Sequence, residues 1–130
     1  MISPTGFGVR GIDKHGSGAY NAGRGDKYRL HIGADYICEP GQVVYSPITG
    51  VIVRERKPYS GKWSGVQIRN SQITVTLFYI NPNRHLITMP IKEGDAIGTA
   101  QDIAEKYPGI VPHVHMQIDS VNPELFINMP

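Results

Sequence analysis

Apolar and polar residues alternate in short runs over much of this chain, and a period of two predicts strands rather than helices. The clearest run is Gln72–Ile80, where Ile73, Val75, Leu77 and Tyr79 alternate with Thr74, Thr76, Phe78 and Ile80. Paired with Gly65–Arg69, it predicts a hairpin around Asn70-Ser71. Gln42–Ser46 and Gly50–Arg56 are two further expected strands, separated by the turn chemistry of Pro47-Ile-Thr-Gly50. Lys57–Gly65 is an expected loop that carries Tyr59 and the one tryptophan, Trp63. Asn81-Pro82-Asn83 is expected to break the long strand, and Ile91-Lys-Glu-Gly-Asp95 to turn the chain into a strand over Ala96–Thr99. Only Gln101–Tyr107 has helical spacing, with Ile103 and Tyr107 four apart and Pro108-Gly109 as a stop. The last strand, Pro112–Asp119, puts Val114, Met116 and Ile118 on one face and His113, His115 and Gln117 on the other. One apolar and one wet face is the pattern of an antiparallel sheet.

The first thirty residues break this pattern. They are rich in glycine (Gly6, Gly8, Gly11, Gly16, Gly18, Gly23 and Gly25) and have little periodicity. Long ordered loops in small domains usually carry function. The expected fold is therefore mainly β: an antiparallel sheet core with a long irregular N-terminal loop and one short helix.

Composition narrows the classes. A length of 130 residues predicts a single domain over 1–130, and 40% hydrophobic residues suit an ordinary globule. The net charge of +2, from 13 basic and 11 acidic residues without long runs, leaves no electrostatic footprint for nucleic acid or an anionic membrane. No apolar run approaches a membrane span. The start, Met1-Ile-Ser-Pro-Thr-Gly6, lacks a basic stretch followed by an apolar core, so no signal peptide is expected and synthesis is expected in the cytoplasm. Cys38 is the one cysteine; it excludes an internal disulfide and is expected to be a buried, inert thiol.

Five histidines are the main source of chemistry. His31 and Asp35 are four apart near the front, and His113-Val-His115 opens the chain's last expected strand. A catalytic zinc needs about three N or O ligands and one open position. In an extended strand His113 and His115 point to one side, so the two motifs together can supply such a set. Spacing also allows a plainer reading, in which His31 is a loop residue, Asp35 a surface charge, and the two strand histidines a solvated face.

The motifs match a family in order. Gly6-Phe7-Gly8-Val9-Arg10, His31-x-x-x-Asp35, Pro40 to Val53, Ile91 to Gly98 and His113-x-His115 together resemble the lysostaphin-type zinc metallopeptidases. The resemblance runs from about Thr5 to Ile118. Within that superfamily, Asp13–Tyr20, Glu55–Tyr59, Leu77–Pro82 and Tyr107–Ile110 are closer to its chemotaxin branch, whose vertebrate members are secreted and built with three disulfides. Here Cys38 stands at one of those cysteine positions, without a partner.

What the resemblance implies is specific. His31, Asp35 and His115 match the ligands of Zn2+, and His113 matches the catalytic base or transition-state donor. The substrate would be a peptide crosslink of bacterial peptidoglycan, reached in the periplasm or cell wall by delivery from a phage particle or secretion machine. The protein would act as a monomer or as part of that particle. Active peptidases carry a second catalytic histidine in a strand ending Tyr-x-His-Leu. The equivalent stretch here, Leu77-Phe-Tyr-Ile-Asn81, has none, and the chemotaxin branch, regarded as non-peptidase, shares that substitution. Tyr79, His85 or His15 are the expected replacements. Arg10 is expected to hold an anionic substrate group, or else to brace Asp35 or form a structural ion pair, and Tyr59 and Trp63 are expected to wall the groove, with plain packing the alternative for Trp63. The alternative is an inactive, zinc-stabilised binding protein of the same fold that recognises cell-wall peptide or a protein partner.

Overall fold

Alternating β-branched positions pair into one broad antiparallel sheet and one narrow one. A computed structural model describes residues 1–10, 12–13, 16–17 and 33–122. The strands are β1 (Ile12–Asp13), β2 (Gly16–Ser17), β3 (Gly33–Ile37), β4 (Val43–Tyr45), β5 (Gly50–Arg56), β6 (Gly65–Arg69), β7 (Ile73–Phe78), β8 (Ile80–Pro82), β9 (Pro90–Ile91), β10 (Ala96–Ala100) and β11 (His113–Val121). The broad sheet has the order β3-β11-β7-β6-β5-β9, the narrow one β4-β10-β8, and β1 and β2 pair with each other. All pairings are antiparallel. The mainly β, antiparallel fold expected from the sequence is the one observed.

The two larger sheets meet over apolar side chains. Val44, Ile80 and Ile97 of the narrow sheet join Ile52, Ile68, Val75, Leu77 and Val114 of the broad one in a single buried cluster. Each fully buried Leu, Ile or Val adds about 1.5–3 kcal/mol of hydrophobic stabilisation. Cys38 belongs to the same cluster, and burial, with Asp102 and Glu39 nearby, pushes its thiol up to about 12. It is the inert thiol its sequence position suggests.

Local chemistry explains where the elements end. Asn70 Oδ1 accepts from the backbone N–H groups of Gln72 and Ile73, closing the β6–β7 hairpin where it was expected. The expected strand over Gln72–Ile80 instead splits. β7 stops at Phe78, Tyr79 takes a left-handed φ of 71°, and Ile80–Pro82 becomes β8 of the narrow sheet. Asn81 and Pro82 are thus strand residues and not a break. The helical spacing of Gln101–Tyr107 yields only a 3-10 turn, Ile103–Glu105, capped by Asp102 Oδ1 accepting from Ala104 N–H. Three residues are too few for an α-helix to repay its nucleation.

Register carries the polar face across the broad sheet. Asp35, His115, Phe78, Gly65 and Arg56 stand opposite one another on β3, β11, β7, β6 and β5. Gly65 is required in that row, because a Cβ there would lie 2.0 Å from Leu77 O and 2.9 Å from the Phe78 ring.

Candidate metal and catalytic site

Strand alternation places His113 and His115 on one face of β11, as the sequence suggests, but His113 is buried there and not solvated. Register on the neighbouring strand then brings Asp35 opposite His115. His31 and His15 lie outside the described residues. Among the described residues no group of three His, Cys, Asp or Glu converges as a metal cluster, so the described part of the site is the pair Asp35 and His115 with His113 alongside.

Arg10 reaches this corner through backbone pairing. Arg10 N–H donates to Asp35 O at 2.7 Å, Ile37 N–H to Gly8 O at 2.8 Å, and Val9 bridges Tyr36. The Gly6–Arg10 motif is thus laid along the edge of β3. That places Arg10 Nε 3.0 Å from Asp35 Oδ2, with both side chains almost fully buried. Burial strips water from both charges, so each needs the other: breaking such a pair costs about 3–5 kcal/mol. Arg10 therefore braces Asp35.

The two oxygens of Asp35 have different neighbours. Oδ2 faces Arg10 and, at 3.6 Å, His113 Nε2, a distance too long for a direct hydrogen bond. Oδ1 faces His115 Nδ1 at 2.8 Å. A carboxylate oxygen has only lone pairs to offer, so a positive centre must lie between it and Nδ1: a proton or a metal ion. Imidazole nitrogen and carboxylate oxygen are both zinc donors. The pair fits a zinc ion on donor chemistry.

His113 has the character of a base. Its Nδ1 is 2.7 Å from Val111 O, and a carbonyl only accepts, so Nδ1 carries the hydrogen and Nε2 keeps its lone pair. Burial holds its pKa below the ordinary histidine value, against the opposing pull of Asp35 and the Val111 bond. The ring is held neutral with Nε2 turned toward Asp35.

Tyr79 closes the other side of His113. The rings meet edge-on, 5.5 Å apart at 81°. Its left-handed backbone is pinned from two directions: Tyr79 N–H donates to Ser64 O at 2.8 Å, and Tyr79 O accepts from Gln101 N–H at 2.9 Å. A non-glycine residue in that region costs about 1–3 kcal/mol and persists only where its surroundings fix it. Burial, then the hydrogen bond with Tyr59, pushes the Tyr79 phenol well above its ordinary pKa, so it stays a protonated donor. Tyr107 Oη donates to Tyr59 Oη at 3.2 Å, and Tyr59 Oη lies 3.3 Å from Tyr79 Oη. The bond to Tyr59 pushes the Tyr107 phenol up to about 12.

The remaining predicted residues fall in different places. Tyr59 is half-buried and stacks on Tyr79 at 6.4 Å, with Lys106 Nζ 4.7 Å from its ring centre. Trp63 is buried with Ile103 and Ile110, and meets Tyr79 edge-on. His85 lies exposed on the 3-10 turn Arg84–Leu86, where its N–H donates to Asn83 Oδ1.

Sequence reasoning missed the residues around His115. Phe78 stacks on its ring at 6.1 Å and 17°, and Gln117 Oε1 lies 3.0 Å from its Nε2. Gln117 Nε2 donates to Asp119 Oδ1 at 2.8 Å. The same period-two alternation that places His113 and His115 together also reaches Gln117, and that was the available signal.

No family model matches the chain. Over 123 residues it is 37% identical to leukocyte cell-derived chemotaxin-2 of Bos taurus, covering 92% of this chain and 79% of that protein. The catalytic domain of the antimicrobial peptidase lysostaphin from Staphylococcus simulans superposes with a TM-score of 0.58 at 19% identity, over 88% of this chain and 91% of that one. A zinc-containing peptidase from Vibrio cholerae superposes with a TM-score of 0.56 at 22% identity, over 90% of this chain and 36% of that one. At these identities the two structures share the fold of this chain.

Proposed function

The chain belongs to the leukocyte cell-derived chemotaxin-2 family, and from that premise and its peptidase fold we propose that it is a zinc-dependent endopeptidase cleaving peptide crosslinks of bacterial peptidoglycan. The observation that carries this reading is the contact of His115 Nδ1 with Asp35 Oδ1 beside a neutral, buried His113. On this reading Asp35 and His115 hold the metal, and His31, four residues before Asp35, is the third ligand. Zinc supplies Lewis acidity toward a peptide carbonyl and toward water.

The protein's own groups do the rest. His113 Nε2 accepts a proton from the attacking water and returns it to the leaving amine, with Val111 O holding the ring in the required tautomer. Tyr79 stands where active enzymes carry a second histidine. Tyr59 Oη accepts from Tyr107 and lies 3.3 Å from Tyr79 Oη, and a Tyr79 hydroxyl hydrogen turned from Tyr59 toward the substrate donates to the developing oxyanion. Arg10 fixes Asp35, and the half-buried Tyr59 forms part of the wall against which a peptide lies. His85, exposed on its turn, is a lesser alternative to Tyr79.

The absence of a strand histidine over Leu77–Asn81 favours a second reading: a zinc-stabilised binding protein without turnover. Digestion of purified peptidoglycan separates the two. The enzyme reading expects new amine ends and shortened muropeptides that disappear with a chelator and with His113→Ala. Amine release no greater than that of His113→Ala overturns it in favour of binding alone.

A further inference from the structure

We propose that Arg56, with Arg54 beside it, forms a subsite for a carboxylate of the bound peptide, a few extended residues away from His115. The inference rests on the peptidoglycan reading and narrows its substrate class to crosslinked peptides that carry a free carboxylate.

Three arginines share the polar face of the broad sheet. On β5, Arg54 stands opposite Gln67 and Arg56 opposite Gly65; on β6, Arg69 stands opposite Thr74. Their charge is poorly matched. Arg54 Nε donates to Gln67 Oε1 at 3.0 Å and Arg69 Nε to Thr74 Oγ1 at 3.3 Å, both neutral acceptors. Among the described residues neither guanidinium has an ion-pair partner. Asp119 already accepts from Gln67, Gln117 and Thr76, and lies 3.6 Å from Arg56 Nη1. Glu55, between the two β5 arginines, is taken up by Ser64 Oγ and Arg84. The face therefore carries more positive charge than its own carboxylates balance.

Gly65 lets Arg56 lean toward the catalytic corner. Arg56 belongs to β5, yet its Nη1 donates to Thr76 Oγ1 on β7 at 2.9 Å, so the side chain crosses β6. It does so next to Gly65, which has no side chain to obstruct it. The guanidinium carbon comes to 5.6 Å from the centre of the Phe78 ring, and that ring stacks on His115 at 6.1 Å. Together these two steps span three or four residues of extended peptide at about 3.3 Å each. Among the described residues Arg56 is engaged through Nη1 alone, and its side chain is 33% exposed. The Nε–Nη2 edge is left, and that edge can grip a carboxylate with two parallel hydrogen bonds. Ring and hydroxyl hold the guanidinium in place beforehand, which lowers the entropy lost on binding.

Two probes test the subsite: a crosslinked muropeptide with free carboxylates, and the same muropeptide with them converted to carboxamides. Affinity is measured by calorimetry on the full chain carrying His113→Ala, so that the probe is not consumed, and cleavage by amine release with His113 in place. About tenfold tighter binding of the carboxylate probe is expected, weakening as salt is raised. Arg56→Gln is expected to erase that preference while affinity for the carboxamide probe stays within twofold, which also reports an intact fold. If Arg56→Gln does not fold, Arg54→Glu on the exposed neighbour decides, and it is expected to abolish the preference. Equal affinity for the two probes, or a preference that survives these variants, overturns the subsite, and cleavage of both probes would then leave the peptidase reading standing. A preference for the carboxylate probe with neither probe cleaved supports the subsite and overturns the peptidase reading. Binding of neither probe overturns both.

Discussion

His113 and His115 are two residues apart on one face of one strand, yet they sit in different media. His113 is buried beside the aromatic rings of Tyr79 and its neighbours, tied to a backbone carbonyl and held neutral by loss of water. His115 lies between Asp35 and a chain of polar side chains that crosses four strands, with Phe78 stacked on its ring. A dry pocket keeps an imidazole unprotonated at neutrality and so free to accept a proton, and a hydrogen-bonded one makes it a directed ligand. On the proposed function, the two environments divide one His-x-His motif into a proton acceptor and a metal donor.

That division can be broken from either side, most severely at the residue both histidines face. Asp35→Ala removes the carboxylate opposite Arg10, His113 and His115, and a loss of about 3–5 kcal/mol in denaturant unfolding is expected, together with loss of zinc. His113→Ala is expected to lower turnover of peptidoglycan about 10²–10⁴-fold while zinc stays bound, measured by amine release and metal content. Equal loss of zinc in that variant would merge the two roles. Tyr79→Phe keeps the ring packing and removes the hydroxyl; a fall of about 10²–10³ in kcat with KM little changed is expected. An unchanged kcat would leave Tyr79 as packing alone.

The smallest effect is an acid limb on stability from the His115 side. Burial raises the pKa of Asp119, but bonds from Gln117, Thr76 and Gln67, with Arg56 nearby, outweigh it and hold the group below its ordinary value of 3.8. A depressed carboxylate stabilises the fold above its unfolded pKa, and that contribution is lost as pH falls below 3.8. Asp119→Asn is therefore expected to flatten the decline of melting temperature below about pH 4, relative to wild type.

Much of this architecture is written in local pattern. The alternation over His113–Ile118 gave the correct faces of β11, and Asn70-Ser71 marked the hairpin. Other parts depend on pairings between segments distant in sequence, which no local period encodes. Asp35 faces His115 because β3 and β11 share a register, and Arg10 reaches Asp35 because Val9 bridges Tyr36. Tyr79 had the alternation of a continuous strand. Its left-handed φ arises because consecutive residues are drawn into two different sheets. Asp119 looked like a strand end, and its role appears only when Arg56, Gln67 and Thr76 are brought around it.

The central claim is that Asp35 and His115 hold zinc beside a neutral His113. Anomalous diffraction at the zinc edge, on crystals of the protein grown with zinc, tests it most directly. One peak is expected within bonding distance of His115 Nδ1 and Asp35 Oδ1, with His113 Nε2 close by but unbonded. A peak elsewhere, or Asp35 and His115 still joined by a direct hydrogen bond with no peak between them, would contradict it.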